Sequence, residues 1–206
     1  MHVELLLEEP SVQAALDELL PRLLPEGSSR SLHPFQGKPD LLSKLPARLQ
    51  GYARGWSAYD YRIVVLVDAD RDDCKALKRR LENTAAAAGL PTMTAAGPDG
   101  RFVVLNRIAI EELEAWFIGD VDALAKAYPG VPKSLAERRG FRDPDAVRGG
   151  TWEALERVLQ NAGYFQSGLR KIEAAGRIAK HMDPTRNRSH SFRCFAEALA
   201  SLCGEG

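Results

Sequence analysis

The apolar positions of this chain follow two different rhythms. Residues 2–7 form a short apolar run that stops at Glu8-Glu9-Pro10, which predicts a buried strand followed by a loop. Beyond Ser11, the residues Ala14, Ala15, Leu19, Leu20 and Leu23 recur at helical spacing, with Ser11 placed as an N-cap. Residues 25–29 break that helix. A second strand is expected over 30–36, then a helix over 39–58 interrupted near Pro46 and Gly51. Residues 61–67, Tyr-Arg-Ile-Val-Val-Leu-Val, carry the strongest strand signal. They are β-branched and almost unbroken in apolar character, the pattern of a strand buried on both faces in a parallel sheet. The run ends in Asp68-Ala69-Asp70-Arg71-Asp72-Asp73, and a helix is expected from about Asp72 to Ala88, closed by Gly89 and Pro91. A strand over 101–106 then leads into a helix over 110–118, with Ile110, Leu113 and Phe117 on one face. From Asp120 onward the pattern is helical, with helices near 121–127, 151–162, 169–182 and 191–202 and Gly/Pro punctuation between them.

Alternating strands and helices in the first half argue for an α/β sheet, and the run of helices that follows argues for an appended helical layer. The expected division is an α/β core over 1–120 and a helical extension over 121–206, packed as one compact unit. Composition narrows the function classes. Lysine and arginine number 28, aspartate and glutamate 28, and the net charge is zero, so no bulk field draws the chain to nucleic acid and a basic groove would have to be local. Cys74, Cys194 and Cys203 are scattered and lack C-x-x-C spacing, which argues against a zinc site or disulfide framework and fits a reducing compartment. No apolar run reaches membrane-spanning length, and the first residues do not read as a signal peptide. A cytoplasmic protein without membrane contact is expected.

In open parallel sheets, functional groups collect beyond the carboxyl ends of the strands. Here the two clearest strands both end in acids, Glu8 on one and Asp68 and Asp70 on the other. Residues at i and i+2 face the same way where a strand continues, so the two aspartates could serve one ion. Converging carboxylates repel one another, and a hard divalent cation such as magnesium relieves that repulsion. Acids after strands also cap helices, the role expected of Asp72 or Asp73. A third acidic segment is Glu111-Glu112-Leu113-Glu114. Glu111 and Glu114 are three apart and would share a helix face, either as ligands or as an acidic first turn that offsets the helix dipole.

These segments resemble the TOPRIM domain of topoisomerases, primases and OLD-type nucleases, in which one strand ends in Glu and another in Asp-x-Asp. More closely, the chain is similar to an uncharacterised bacterial family, domain of unknown function 4276. The resemblance rests on Val3-Glu4-Leu5-Leu6-Leu7-Glu8, Val64-Val65-Leu66-Val67-Asp68-Ala69-Asp70, Ile110-Glu111-Glu112-Leu113-Glu114-Ala115-Trp116 and Arg188-Ser189-His190-Ser191-Phe192. It implies a TOPRIM-like, Rossmann-like fold with a mostly parallel sheet flanked by helices and a C-terminal helical extension. It also implies Mg2+ or Mn2+ held by Glu8, Asp68 and Asp70, with Glu114 where related nuclease-like families carry a further acid, and phosphodiester cleavage of nucleic acid. An ABC-type ATPase partner in bacterial phage defence is the implied context. Two positions depart from the TOPRIM pattern: Glu9 stands where a Gly usually follows the glutamate, and no Gly follows the aspartates in Asp70-Arg71-Asp72-Asp73.

Remaining candidates are cationic. Lys171, beside Arg170, could stabilise developing phosphoryl charge, or simply lie on a solvated helix face. Arg188, Ser189 and Lys38 are phosphate-binding candidates; Ser191 is placed to cap the last helix, whose N-terminus could also hold an anion. The four histidines lack metal-ligand spacing, Trp56, Trp116 and Trp152 read as packing residues, and Gly37-Lys38 is not a P-loop. Two functions are therefore expected to compete: a metal-dependent nuclease, with a second ion near Glu114, and a non-catalytic TOPRIM-like binding or regulatory subunit.

Overall fold

A computed structural model describes residues 1–55, 61–98 and 100–204. Its elements run β1 (His2–Leu7), α1 (Pro10–Leu23), β2 (Ser29–Pro34), α2 (Lys38–Gly55), β3 (Tyr61–Asp68), α3 (Cys74–Ala87) and β4 (Val104–Ala109). Then come α4 (Glu114–Gly119), α5 (Val121–Ala127), three short 3-10 turns between Lys133 and Ala146, α6 (Thr151–Asn161), α7 (Lys171–Ala179) and α8 (His190–Gly204). The residues divide into two compact units. The first comprises Met1–Pro10, Leu24–Ile108 and Glu197–Gly206; the second comprises Ser11–Leu23 and Ala109–Ala196.

The first unit carries an all-parallel four-stranded sheet in the order β2-β1-β3-β4. Leu5 of β1 sits between Leu32 of β2 and Val64 of β3 in register. Both faces of the central strands are buried, as the unbroken apolar run of β3 requires: Ile63, Val64, Val65, Leu66 and Val67 are at most 1% exposed. One face, with Leu6, Ile63, Val65 and Val67, packs on Leu41, Leu45 and Leu49 of α2 and on Leu77, Leu81 and Ala85 of α3. Each helix presents a row at i, i+4, i+8 to the sheet. The expected break at Pro46 does not occur, because α2 runs through it. Proline forfeits one backbone hydrogen bond, but Leu41, Leu45 and Leu49 are buried on either side of it and hold the helix to the sheet. The end of the expected helix, and Trp56, fall outside the described residues. Pro34 closes β2, an edge strand, where a missing donor is tolerated. Asp73 caps α3, its Oδ1 accepting from the amides of Lys75 at 2.8 Å and Ala76 at 3.2 Å.

Strand β4 begins later than the sequence indicates. The amides of Val103 and Val104 both donate to the Pro91 carbonyl, so on entering β4 the chain offers its donors to Pro91 while the Val103 carbonyl accepts the Ile63 amide of β3 at 2.8 Å. The helix expected over 110–118 also begins late, at Glu114. Glu111 has φ +57, in the left-handed region, and a helix cannot pass through that conformation.

In the second unit Trp116 is fully buried between Phe192 and Phe195, with ring centroids at 5.2 and 5.0 Å. Its indole N–H donates to Ser191 Oγ at 3.0 Å, giving the polar end of a buried tryptophan its partner. Arg177 lies over the Tyr128 ring at 4.4 Å. Asp120, 2% exposed, is surrounded by donors: Ala123 N and Arg186 Nε at Oδ1, and Asp183 N at Oδ2. No helix among the described residues is long and apolar enough to cross a membrane.

Candidate functional site

The sheet order places β1 and β3 side by side, with the chain turning to β2 on one side and to β4 on the other. Such a reversal opens a crevice at the carboxyl ends of the two strands. Glu8 follows directly from β1 and Asp68 is the last residue of β3, and both are buried, at 8% and 7% exposure. Glu8 Oε2 accepts the Asp68 backbone N–H at 2.9 Å, so the Glu8 carboxylate is tied to the end of β3 through the Asp68 backbone. Burial pushes the Glu8 carboxyl above its ordinary value; the Asp68 amide opposes that, the Asp70 charge adds to it and Lys38 opposes it.

Asp70 is placed differently from the expectation that it would repeat Asp68 along the strand. β3 ends at Asp68, and Asp70 turns through φ +49, a conformation aspartate enters more readily than most residues. The Asp72 amide closes the turn on the Ala69 carbonyl at 3.0 Å. The Asp70 carboxylate lies 2.7 Å from Lys38 Nζ. That ammonium also reaches Asp72 Oδ2 at 2.9 Å and donates to the Ala69 carbonyl at 3.1 Å. Lys38 is 8% exposed and belongs to the first turn of α2, where Gly37, at φ +93, lets its amide bond the Glu8 carbonyl at 2.9 Å. Burial alone would lower the Lys38 ammonium, but its bonds to Asp70 and Asp72 outweigh this and hold it above its ordinary value. Lys38, expected to meet phosphate, thus meets carboxylates already in the chain.

A second polar cluster of the same unit escaped the sequence reading. Glu4 accepts from His33 Nε2 at 2.6 Å and from the Tyr52 hydroxyl at 3.1 Å, and His2 Nε2 lies 3.2 Å from its other oxygen. Strand alternation puts His2 and Glu4 on one face, but the histidines are far apart in sequence, so spacing alone could not announce the cluster.

The other candidates lie in the second unit. Glu111 and Glu114 do not share a helix face, because the left-handed turn at Glu111 precedes α4. Glu114 is 3% exposed and its carboxylate lies 3.8 Å from Lys171 Nζ, which also sits 5.4 Å over the Trp152 ring. Glu111 Oε2 is buried without a hydrogen-bond partner among the described residues. Burial, then Glu112, Asp145, Asp143 and Glu153, push its carboxyl upward. Glu112 takes the first turn of α6, accepting from Thr151 Oγ1 and the Trp152 amide. Arg170 pairs with Glu173 at 3.1 Å.

The α8 N-terminus already holds an anion, the Asp145 carboxylate. It accepts Ser189 Oγ and Ser191 Oγ, each at 2.8 Å, together with the amides of His190 and Ser191. Ser189 is fully buried, and its hydroxyl also accepts the Phe192 amide. Arg188 directs its guanidinium onto the carbonyls of Arg142, Phe141 and Ile118. Both phosphate-binding candidates therefore serve the fold here, and Ser191 shares the capping role with Asp145.

Among the described residues, no group of three or more His, Cys, Asp or Glu side chains comes together in a metal-holding arrangement. A single magnesium ion needs less, taking one or two carboxylates directly and filling its shell with water. Glu8 and Asp68 are the two buried acids at this strand edge, whereas Asp70 is turned to Lys38.

No curated protein and no solved structure matches the chain. A family model, the domain of unknown function DUF4276, matches residues 7–201. That match takes in both acidic strand ends and the Trp116–Phe192 core, and the chain belongs to the DUF4276 family.

Proposed function

We propose that this chain is a TOPRIM-type phosphodiesterase that cleaves nucleic acid with magnesium or manganese at the site of Glu8, Asp68 and Asp70. The observation that supports this most is the placement of buried Glu8 and Asp68 on neighbouring parallel strands at the reversal of the sheet. A structural cap has no need of two buried acids at that point, and the burial of Glu8 is costly without a cation. A bound metal would neutralise phosphate charge and lower the pKa of a water. The chain's own residues supply the rest. The Asp68 amide fixes the orientation of Glu8. Lys38 places a positive charge between Asp70 and Asp72, next to where a phosphate would lie, and such fixed charges stabilise a developing oxyanion without reorganisation. The reading requires one ion and draws on neither Glu111 nor Glu114.

A second reading is favoured by the same lysine. Lys38 gives Asp70 and Asp72 an internal counter-ion, as expected of a TOPRIM-like binding or regulatory subunit that acts through an ABC-type ATPase partner and needs no metal. The deciding experiment incubates purified chain, alone and with such an ATPase, with single- and double-stranded DNA and RNA in magnesium or manganese. Cleavage by wild type that is lost in Glu8→Gln, with the fold retained, supports the enzyme. Equal behaviour of wild type and Glu8→Gln on every substrate supports the binding subunit.

A further inference from the structure

The outer surfaces of α2 and α3 concentrate charge in a chain whose net charge is zero. Six basic residues of the two helices are exposed, Lys44, Arg48, Arg54, Lys75, Arg79 and Arg80, whereas Lys38 is buried against Asp70 and Asp72; the two acids of these helices are paired within their own helix, Asp40 with Lys44 and Glu82 with Lys78. Between the helices runs an open cleft of about 510 Å³, lined by Pro46, Gln50, Arg79, Arg80, Asn83 and Thr84 among others. Arg79 and Arg80 are exposed, and neither guanidinium donates a hydrogen bond among the described residues. Arg80 and Ala76 also line a second hollow, of about 240 Å³, together with Asp72 and Asp73. The two hollows share Ala76 and Arg80, and the second, where Arg80 faces two aspartates, reaches the loop that carries the Lys38–Asp72 pair.

We infer that the α2–α3 cleft is a docking surface for the phosphate backbone of a nucleic acid, which it leads toward the acidic site. The inference deepens the phosphodiesterase reading and rests on it for its biological sense. The chemistry of the lining selects the occupant. Arginine with asparagine and glutamine amides is the set that contacts phosphate and sugar. Among the lining residues there is no aromatic ring on which a base could stack, so binding is independent of sequence. Its apolar lining is Pro46, Ala76 and Ala87, too shallow for the large buried anchor side chains on which protein partners depend.

The test is binding of a fluorescent 20-nucleotide single strand to the full chain, followed by anisotropy in EDTA so that no cleavage intervenes, across a salt series. Wild type is expected to bind DNA and RNA alike, with affinity falling linearly in log–log form as salt rises. Arg79→Glu with Arg80→Glu should lose at least tenfold in affinity. Loss of two phosphate contacts should also flatten the salt slope by roughly 1.4. Arg79→Lys with Arg80→Lys should restore most of the binding, and every variant should melt like wild type. Because the measurement is made in EDTA and reads binding alone, a failed cleavage assay leaves it intact. The inference is overturned if the charge-reversed chain binds as wild type does, if wild type fails to bind at 50 mM salt, or if poly-glutamate competes as strongly as nucleic acid.

Discussion

Glu8 Oε2 is held by the Asp68 amide in a buried crevice, and burial raises the carboxyl above its ordinary value of 4.5. The folded chain therefore holds the Glu8 proton more tightly than the unfolded chain does. The stability associated with this group is complete below the ordinary glutamate value and is lost as pH rises through the raised one. Glu8→Gln, whose amide oxygen can still accept from Asp68, should remove that loss. The melting temperature of Glu8→Gln should exceed that of metal-free wild type at neutral pH, and the gap should close near pH 4. A gain on the order of 1 kcal/mol corresponds to about 2–4 °C; a variant less stable at every pH would mark Glu8 as a structural residue. Glu82 provides the opposite signature. Burial would raise it, but bonds from Lys78, Thr92 and Asn106 prevail and lower it, so its contribution is present above 4.5 and lost as pH falls through the lowered value. Gly119 is constrained by space rather than charge. A Cβ there would lie 2.1 Å from Asn187 Oδ1 and 3.0 Å from the Ser189 amide, and Asn187 is itself bonded to the Trp116 carbonyl at 2.8 Å. Gly119→Ala should destabilise by about 1–3 kcal/mol, read by chemical denaturation.

Elements differ in how openly the sequence declares them. β1 and β3 were legible because a strand buried on both faces is written as an unbroken apolar run, and their ends could be read because an acid stops each run. Helix α3 was legible between the acids that follow β3 and the Gly89 and Pro91 that close it, and of the two caps expected, Asp72 or Asp73, Asp73 takes the role. The α4 region was misread, since acids three apart suggest one helix face and nothing local announces the left-handed turn at Glu111. Lys38 and Asp145 share another difficulty. Each is a short-range ambiguity settled by partners 34 and 44 to 46 residues away, and single-sequence spacing does not carry contacts of that range. Helix α3 is also tied to β4 by one network: Lys78 Nζ bonds the Asn106 carbonyl at 2.6 Å, and Glu82 accepts the Asn106 amide at 3.0 Å. Glu82→Ala should leave Lys78 and Asn106 short of partners and cost about 1–3 kcal/mol. Hydrogen exchange should then quicken at the C-terminal half of α3, whereas an unchanged exchange pattern would show that apolar packing alone holds the helix.

For the whole molecule, zero net charge excludes a global electrostatic pull but leaves a local one open, and the exposed arginines and lysines of α2 and α3 are where we infer that it acts. The family match over residues 7–201 takes in residues of both compact units, so the acidic strand ends and the buried Trp116 core both fall within the matched residues. The account turns on whether Glu8 and Asp68 hold a divalent ion. Crystals soaked in manganese and measured at its absorption edge answer this most directly. The account predicts an anomalous peak about 2.1 Å from carboxylate oxygens of both Glu8 and Asp68, absent from Glu8→Gln crystals treated in the same way. No peak at these residues in a fully soaked crystal, with Lys38 still bridging Asp70 and Asp72, would contradict it.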